Sequence, residues 1–306
     1  MSTVSVIIPT YNRAHLLPRA LTSVFRQSLA CDEVIVVDDG SNDATPALLQ
    51  AIQAEAPTPI TLHILCQENR GAAAARNAGI KHARGDLIAF LDADDWWLPE
   101  KLALQVAAME RESGYRISHT REIWYRRGER VMQKKRQDPP GGFIFYRSLD
   151  TCLVAMSTVM ARKELFSRYG HFDESLPCCE DYEFWLRIGR VEPFLLLEQA
   201  LTCRDGGRPD QLSSIHRMGM DQYRIRALHQ LIESGRFSPE QDKAARRELA
   251  RKCAIYGQGC RKHGRPDEAG RYFKLAANYG AGYAVEKTAQ NPAQLHCEDP
   301  ETSSCL

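Results

Sequence analysis

Three aspartates, Asp92, Asp94 and Asp95, directly follow the apolar run at residues 87–91. A short apolar run that ends in polar residues is typical of a buried strand. Carboxylates crowded at the end of such a strand repel one another and lose water, and a bound cation or ligand offsets that cost. In an extended backbone, Asp92 and Asp94 would point to the same side. The pattern predicts a site for a hard divalent cation, which prefers oxygen ligands; an acidic turn that caps the next helix is the alternative.

The elements that must position these acids alternate along the first third of the chain. Apolar runs at residues 4–8, 34–37 and 60–65 precede the run at 87–91, with helix-forming stretches between them. This alternation predicts a parallel, doubly wound α/β sheet, whose ligands bind beyond the carboxyl ends of the strands. The polar residues expected at that edge are Thr10, Tyr11, Asp38, Asp39, Arg76, Asp92 and Asp94. Four converging strand ends predict one ligand site.

Bulk composition narrows the class of protein. The chain has 306 residues, a net charge of +1 and 43% hydrophobic residues, which suits one or two globular domains. Near-neutral charge argues against a nucleic-acid binder. No apolar run is long enough to span a bilayer, and the N-terminus lacks a signal-peptide pattern, so we expect a cytoplasmic protein with at most peripheral contact to the inner face of the cell membrane. Ten cysteines without paired C-x-x-C spacing indicate reduced, mostly buried thiols.

Five motifs in order resemble the family 2 glycosyltransferases, which share the GT-A fold. They are residues 9–13 (PTYNR), 37–41 (VDDGS), 71–79 (GAAAARNAG), 91–95 (LDADD), and 172–174 (FDE) with Glu180 and Asp181 before an amphipathic helix. The resemblance extends from the N-terminus to about residue 214. It implies a Rossmann-like, mostly parallel nucleotide-binding sheet with a smaller acceptor-side region.

The resemblance also implies roles for donor-side residues. Thr10 and Tyr11 match the loop that lies against the nucleotide base and ribose, and Pro9 and Arg13 of the same motif are also expected to bind the nucleotide sugar. Asp39 matches a carboxylate that accepts a hydrogen bond from the base. Arg76 resembles a basic residue near the base and diphosphate.

The acidic motif and the second acidic pair complete the implied site. Asp92, Ala93 and Asp94 match the family's DxD motif, in which Asp94, with Asp92, would bind Mn²⁺ or Mg²⁺ at the donor diphosphate. Asp181 matches the general base on the acceptor hydroxyl. One base and no second nucleophile imply inversion at the anomeric carbon.

The implied activity is transfer of one sugar from a nucleoside-diphosphate sugar, with a UDP-sugar favoured, to a saccharide or lipid-linked saccharide in surface polysaccharide synthesis. The QxxRW motif and membrane helices of processive members are absent from the sequence. Four regions follow from the pattern. They are a nucleotide-sugar-binding subdomain at 1–114, an acceptor-side subdomain at 115–215, a helical appendage at 216–286 and a disordered tail at 287–306.

Plainer interpretations of the single residues remain open at this point. Asp39 could cap the helix after Ser41, Arg76 could lie on the surface of an alanine-rich helix, and Asp181 could be a helix N-cap. Trp96 and Trp97 could line the sugar site or belong to the core, His119 and His216 could reach the diphosphate or be structural, and Cys178 and Cys179 are expected to pack. Two other functions compete, a nucleotidyltransferase and a non-catalytic binding module.

Overall fold

The computed structural model describes residues 2–54, 60–133, 137–217 and 219–280. The chain divides into two compact units, Met1–Asp242 and Lys243–Leu306. The division therefore falls later than residue 216, where the helical appendage was expected to begin. The tail expected at 287–306 lies outside the described residues.

Four parallel strands form what we call the parallel half of the sheet. They are β1 (Val4–Thr10), β2 (Glu33–Asp38), β3 (Thr61–Cys66) and β4 (Leu87–Phe90), in the order β3-β2-β1-β4. Every residue of β2 and β4 is buried, which explains why these strands are apolar runs rather than alternating patterns. The predicted α/β class is confirmed, and the carboxyl ends of these strands share one edge.

The helices of the parallel half are α1 (Leu17–Phe25), α2 (Thr45–Ala54) and α3 (Ala72–His82). Helix α3 packs closely on the sheet because it is built from alanine and glycine. A Cβ atom added at Gly79 would lie 2.5 Å from Cγ2 of Ile7 on β1. The small residues therefore set how near α3, and Arg76 within it, lies to the strands.

The rest of the sheet, which we call the mixed half, contains both strand directions. Its strands are β5 (Trp96–Trp97), β6 (Ile117–Arg126), β7 (Glu129–Val131), β8 (Met160–Arg162) and β9 (Leu195–Gly206). Strand β8 joins β4 antiparallel, β6 pairs with β8 antiparallel, and β9 runs parallel to β6 and antiparallel to β5. Among the described strands, parallel pairing occurs within β1–β4 and between β6 and β9.

The sequence pattern predicts short strands at residues 117–120 and 123–125 and another at 154–160, and these predictions were wrong in detail. The first two segments belong to one strand, β6, because it bends at a register shift around Arg121 instead of ending. The segment at 154–160 contains a 3₁₀ turn, Met156–Thr158, followed by β8. The turn places the Ser157 side chain beside the acidic residues.

Eight further helices follow in the described part of the chain. They are α4 (Lys101–Arg111), α5 (Phe145–Ser148), α6 (Glu164–Tyr169), α7 (Glu180–Gly189), α8 (Leu212–Ile215), α9 (Met220–Glu233), α10 (Pro239–Lys262) and α11 (Pro266–Tyr279). In the core of the mixed half, Trp185 of α7 is buried and its indole N–H donates to the Val154 carbonyl at 2.9 Å. None of the helices in the described part of the chain is long and apolar enough to cross a membrane.

Candidate active site

Asp39 lies just beyond β2 and holds the chain that leads into α3. Its carboxylate accepts hydrogen bonds from Gln67 Nε2 at 2.7 Å, from the Arg70 backbone N–H at 2.9 Å and from the Gly71 N–H at 2.8 Å. The start of α2 is instead bonded by Asp43, which accepts from the Thr45 N–H at 2.8 Å. The capping alternative for Asp39 is therefore wrong, and this buried acid shapes the loop at 67–71 beside the end of β2.

Residues 92–95 form a turn, not the extended segment that the sequence predicted. The Asp95 N–H donates to the Asp92 carbonyl at 3.0 Å, which closes the turn around the buried Ala93. The reason is the next strand, because β5 begins at Trp96 and pairs with β9, so the chain must change direction directly after β4. Asp92 and Asp94 consequently have different partners.

Arg76 joins the two acidic clusters. Its Nη2 donates to Asp92 Oδ1 at 2.8 Å, and its Nη1 donates to the Glu180 carboxylate. Arg76 is only 5% exposed, so the alternative of a surface arginine is wrong. Burial alone lowers the pKa of Arg76, but the Asp92 and Glu180 charges outweigh it and raise that pKa above its ordinary value. A permanently charged guanidinium thus lies between the strand-end motif and the start of α7.

Asp94 faces the segment that follows β9. Its Oδ2 accepts from Arg208 and, at 3.0 Å, from Gln211 Nε2. The same segment reaches the first predicted loop, because Arg13 Nη1 lies 2.8 Å from Asp210 Oδ2. Residues 208–211 therefore touch both the acidic turn and the loop after β1.

Asp95 is a structural member of the turn. Its carboxylate accepts from Ser157 Oγ at 2.7 Å and from the Asp205 N–H at 3.2 Å. Burial, followed by the negative charge of Asp94, raises the pKa of Asp95 well above its ordinary value. The Ser157 hydroxyl also accepts from the Asp92 N–H at 3.1 Å, so one side chain ties both ends of the turn.

Asp181 lies in the first turn of α7, beside Glu180. Cys179, at the N-cap of α7, has a left-handed backbone with φ of 66°, and the cap makes no side-chain hydrogen bond. Asp181 accepts from the Tyr182 N–H at 2.7 Å and from the Cys152 thiol, with Sγ 3.3 Å from Oδ2. The N-cap alternative is therefore wrong for Asp181, which is half-buried and held by a thiol donor.

Glu180 and Asp181 differ in their surroundings. Glu180 is 5% exposed and directed at Arg76. Burial raises the pKa of Glu180, Arg76 opposes the rise, and Asp181 adds to it. Of the two neighbouring acids, Glu180 is therefore the buried one, and it forms an ion pair with Arg76.

The remaining candidates at the strand ends divide by exposure. Pro9 is the partner of Val37 in the β1–β2 pair, and Thr10 is 3% exposed with a hydroxyl that has no hydrogen-bond partner among the described residues. Tyr11 is 43% exposed. A buried, unpartnered hydroxyl next to an exposed aromatic ring is a surface that can accept a ligand.

The aromatic and histidine candidates are largely structural. Trp97 is 3% exposed and its indole N–H donates to the Ser157 carbonyl at 2.7 Å, which places it in the core. Trp96 stacks under the Arg19 guanidinium at 3.9 Å. His119 is fully buried against the Pro140 carbonyl, at 2.9 Å, and His216 packs on the Tyr223 ring.

The cysteine candidates are packing residues. Cys178 is 4% exposed and Cys179 is 8% exposed, as the sequence predicted. Their sulfur atoms lie 3.9 Å apart. Both thiols are free.

The acidic turn has the donor chemistry that a divalent cation requires. No group of three or more His, Cys, Asp or Glu side chains that could hold a metal ion occurs in the described part of the chain. Asp92 and Asp94 nevertheless offer carboxylate oxygens, and their side chains are 33% and 17% exposed. Mn²⁺ and Mg²⁺ sites on nucleotides commonly take one or two carboxylates and complete their shell with phosphate and water, so these residues fit the ion.

Four residues that contact the acids of the site were missed from the sequence. Arg208 and Gln211 follow two glycines at the end of β9, and a basic, glycine-containing loop after a strand was a usable signal. Ser157 and Cys152 lie in irregular segments, where no periodicity indicates which side chain faces the site. Their partners, Asp95 and Asp181, are distant in sequence.

Comparison with known proteins defines the class. The sequence profile described as glycosyl transferase family 2 matches residues 5–169. An uncharacterised glycosyltransferase of Rickettsia felis is 35% identical over 185 residues, which cover 60% of this chain and only 30% of that protein. The Escherichia coli protein WfgD, named as a UDP-Glc:alpha-D-GlcNAc-diphosphoundecaprenol beta-1,3-glucosyltransferase, is 31% identical over 194 residues, covering 60% of this chain and 69% of WfgD.

Solved structures share the fold at low identity. TarS 1–349 of S. aureus, in complex with UDP-GlcNAc, has a TM-score of 0.59 at 20% identity and covers 90% of this chain and 91% of that one. The mannosyltransferase PcManGT of Pyrobaculum calidifontis, in complex with GDP-Man and Mn²⁺, has a TM-score of 0.63 at 20% identity, covering 94% and 78%. The chain belongs to glycosyl transferase family 2, and the predicted GT-A fold is confirmed.

Proposed function

We propose that this chain is a metal-dependent, inverting glycosyltransferase that moves one sugar from a nucleoside-diphosphate sugar to an acceptor hydroxyl. The observation that carries the proposal is the Arg76 bridge. One buried guanidinium bonds Asp92 of the acidic turn and Glu180, the neighbour of Asp181. The candidate donor motif and the candidate base therefore lie on either side of a single side chain.

On the donor side, the loop after β1 would receive the nucleotide. Thr10 has a buried hydroxyl with no hydrogen-bond partner among the residues that the structure describes, Pro9 and Tyr11 flank it, and Arg13 anchors the loop to Asp210. Asp39 already accepts three hydrogen bonds, and an ionised carboxylate has about four acceptor positions. One position is left for a nucleotide base, and a UDP-sugar is the donor that we propose.

Asp94 and Asp92, with Ala93 between them, would hold the divalent cation, Mn²⁺ or Mg²⁺. When bound, that ion neutralises the diphosphate as the sugar–phosphate bond breaks. Asp94 would exchange its contacts with Arg208 and Gln211 for the ion. Asp92 would remain oriented by Arg76 and by the Ser157 hydroxyl at its backbone N–H.

Asp181 would take the proton from the acceptor hydroxyl. It is half-buried at the start of a helix, where the helix dipole favours a negative charge. Glu180 is held by Arg76 and does not compete for this task. With one base opposite the leaving group, the sugar inverts its anomeric configuration.

The acceptor that we propose is a saccharide or a lipid-linked saccharide in surface polysaccharide synthesis. WfgD, by its name, acts on a sugar linked to diphosphoundecaprenol, and this supports a lipid-linked acceptor. The proposed setting is the cytoplasm, at the inner face of the cell membrane.

The test of the base compares Asp181→Asn with Glu180→Gln in single-turnover transfer. Asparagine keeps the shape of the side chain but cannot take the proton, so kcat should fall by about 10²–10⁴-fold while donor affinity holds. Glu180→Gln should reduce kcat less. Wild-type transfer by Asp181→Asn would remove it from the role, and a larger loss in Glu180→Gln would make Glu180 the base.

The test of the metal site uses binding and not turnover. Calorimetry of Mn²⁺ in the presence of UDP should show binding to the wild type and a loss of at least about tenfold in affinity for Asp94→Ala, because one carboxylate ligand is removed. Far-UV circular dichroism should show that the variant folds. Unchanged Mn²⁺ affinity would exclude Asp94 as a ligand.

Product analysis separates the proposed activity from the competing functions. Release of a nucleoside diphosphate on transfer supports the glycosyltransferase. Release of pyrophosphate would indicate a nucleotidyltransferase, and binding without any transfer or donor hydrolysis would indicate a binding module.

A further inference from the structure

Apolar side chains and arginines from three neighbouring segments lie together at the surface of the first unit. Phe143 is 68% exposed, Tyr146 is 56% exposed and Val191 is 42% exposed. We define the aromatic–arginine surface by its six residues, Phe143, Tyr146, Arg147, Arg190, Val191 and Arg236.

Specific contacts hold these segments side by side. Gly142, directly before Phe143, exchanges two backbone hydrogen bonds of 2.8 Å with Phe194, three residues beyond Val191. Arg190 Nη1 donates to the Arg236 carbonyl at 2.8 Å. The Phe145 ring lies 5.4 Å from that of Tyr146 and 5.0 Å from that of Phe237. Contacts with neighbouring segments therefore hold the backbone beside Phe143 and the ring of Tyr146 in place.

Two arginines of this surface, Arg190 and Arg236, have no ion-pair partner in the described part of the chain. Arg187 is neutralised by Glu183, with Nε 2.7 Å from Oε1, but no described carboxylate forms an ion pair with Arg190 or Arg236. Burial, followed by the positive charges of Arg236 and Arg187, lowers the pKa of Arg190. Arg187, Arg190 and Arg236 also line a cavity of about 260 Å³, together with the acids Asp173 and Glu183.

We propose that the aromatic–arginine surface docks on an anionic phospholipid bilayer. Phenylalanine and tyrosine place their rings in the interfacial region of a bilayer, while arginines attract the anionic headgroups. Exposed aromatic rings near arginines that have no described carboxylate partner therefore match the headgroup region of an anionic bilayer. A second copy of this chain would present the same positive charges, and so it matches the surface less well.

The position of this surface relates it to the candidate base. The chain from Tyr146 to Cys152, whose thiol bonds Asp181, covers six residues, or at most about 20 Å when extended. Midway, the Leu149 carbonyl accepts from the Tyr182 hydroxyl at 2.6 Å, which fixes the segment on α7. A bilayer held at Tyr146 would therefore lie within about 20 Å of Cys152, whose thiol bonds Asp181.

Vesicle flotation of the full chain tests the proposal. At low salt, wild type should float with phosphatidylcholine vesicles that contain about 30% phosphatidylglycerol, and should stay behind with phosphatidylcholine alone. Arg190→Gln with Arg236→Gln should weaken binding at least about tenfold. Phe143→Ser with Tyr146→Ser should weaken it similarly, and both residues are exposed enough for that variant to fold. Ile255→Ser, which changes an apolar side chain of 43% exposure in the other unit, is the matched control and should bind as wild type does.

Other occupants of the surface give different results. Failure of wild type to float with anionic vesicles, or normal flotation of both double variants, would overturn the proposal. If aromatic variants float normally and inorganic phosphate displaces the protein, the arginines form a small-anion site instead. If sedimentation shows a dimer that Phe143→Ser with Tyr146→Ser abolishes, and vesicles do not bind, a second copy is the occupant. The vesicles contain no donor or acceptor sugar, so failure here leaves the transfer activity untouched.

Discussion

The parallel half and the mixed half of the sheet place their polar groups in different ways. In the parallel half, strand position alone determines the location of Thr10, Asp38 and Asp39, because β1 and β2 end at the same edge. In the mixed half, the site residues are positioned by partners distant in sequence. Asp181 bonds Cys152, and Glu180 bonds Arg76, which is 104 residues away. Position within a strand therefore determines where the polar groups of the parallel half lie, and contacts between residues distant in sequence determine it in the mixed half.

This difference predicts which substitutions will most reduce the stability of the protein. Changes in the parallel half act on a frame whose strands are buried and regularly bonded. A change at the buried contact between the halves, Arg76 with Glu180, removes the charge partner of a side chain that is only 5% exposed. The largest effect is therefore expected where a buried contact joins the two halves.

Arg76→Gln should be the most damaging of the substitutions that test this comparison. It leaves the buried Glu180 carboxylate without its cation, a change that typically costs 3–5 kcal/mol of unfolding free energy, so we expect about that loss. Urea unfolding followed by tryptophan fluorescence measures it, since all four tryptophans lie in the first unit. Arg70→Gln is the matched control, because Arg70 also contacts the mixed half, at Glu174, but its side chain is 61% exposed.

Arg70→Gln should lower the unfolding free energy by no more than about 1 kcal/mol, because exposed ion pairs contribute little to stability. Adding Glu180→Gln to Arg76→Gln should recover part of the loss, because the uncompensated charge is then removed. Equal losses for Arg70→Gln and Arg76→Gln would show that no buried network joins the halves.

His119 tests the interior of the mixed half through pH. Burial lowers the pKa of His119 from 6.5 to about 4. As pH falls below 6.5 the unfolded chain binds a proton that the folded protein refuses until about pH 4, so stability is lost as pH falls through that window. Wild type should lose about 2 kcal/mol relative to His119→Gln between pH 7 and pH 5, at about 1.4 kcal/mol per pKa unit.

Urea unfolding of both proteins at the two pH values gives that difference. A constant difference between them would mean that His119 takes up its proton over the same pH range in the folded and unfolded protein, and the burial argument would then be wrong for this residue.

Arg208→Gln should have the smallest effect on stability. Arg208 and Asp94 connect the mixed half to the acidic turn, but their side chains are 20% and 17% exposed, and Gln211 also bonds Asp94. We expect a change below about 1 kcal/mol in unfolding free energy. A loss as large as that of Arg76→Gln would show that partly exposed contacts join the halves as strongly as the buried bridge does.

The sequence predicted the parallel half well for a physical reason. Strands buried on both faces appear as apolar runs, and the residues after them must lie at one edge, so Asp92 and Asp39 could be placed without a structure. The turn at 92–95 could not be predicted, because it depends on the pairing of β5 with β9. Arg76 was expected near the site, but its contact with Glu180 depends on how α7 packs.

The mixed half was harder because its elements are short and their partners distant. The segment at 154–160 has apolar residues in a row, yet it turns at Met156–Thr158 so that Ser157 can bond the acidic turn. Neither Cys152 nor Arg208 lies at a position that periodicity selects. The family motif directed attention to Asp181, whereas its thiol partner has no counterpart in the motifs.

Gly79 limits which substitutions helix α3 can accept. A methyl group there would meet Ile7 at 2.5 Å and push α3 away from the sheet, and Arg76 lies on the same helix, one turn earlier. A substitution at Gly79 would therefore act like a substitution at Arg76, although the residue touches neither acid. Variant libraries that test the proposed donor site can diversify the exposed residue Tyr11, but they should leave Gly79 unchanged.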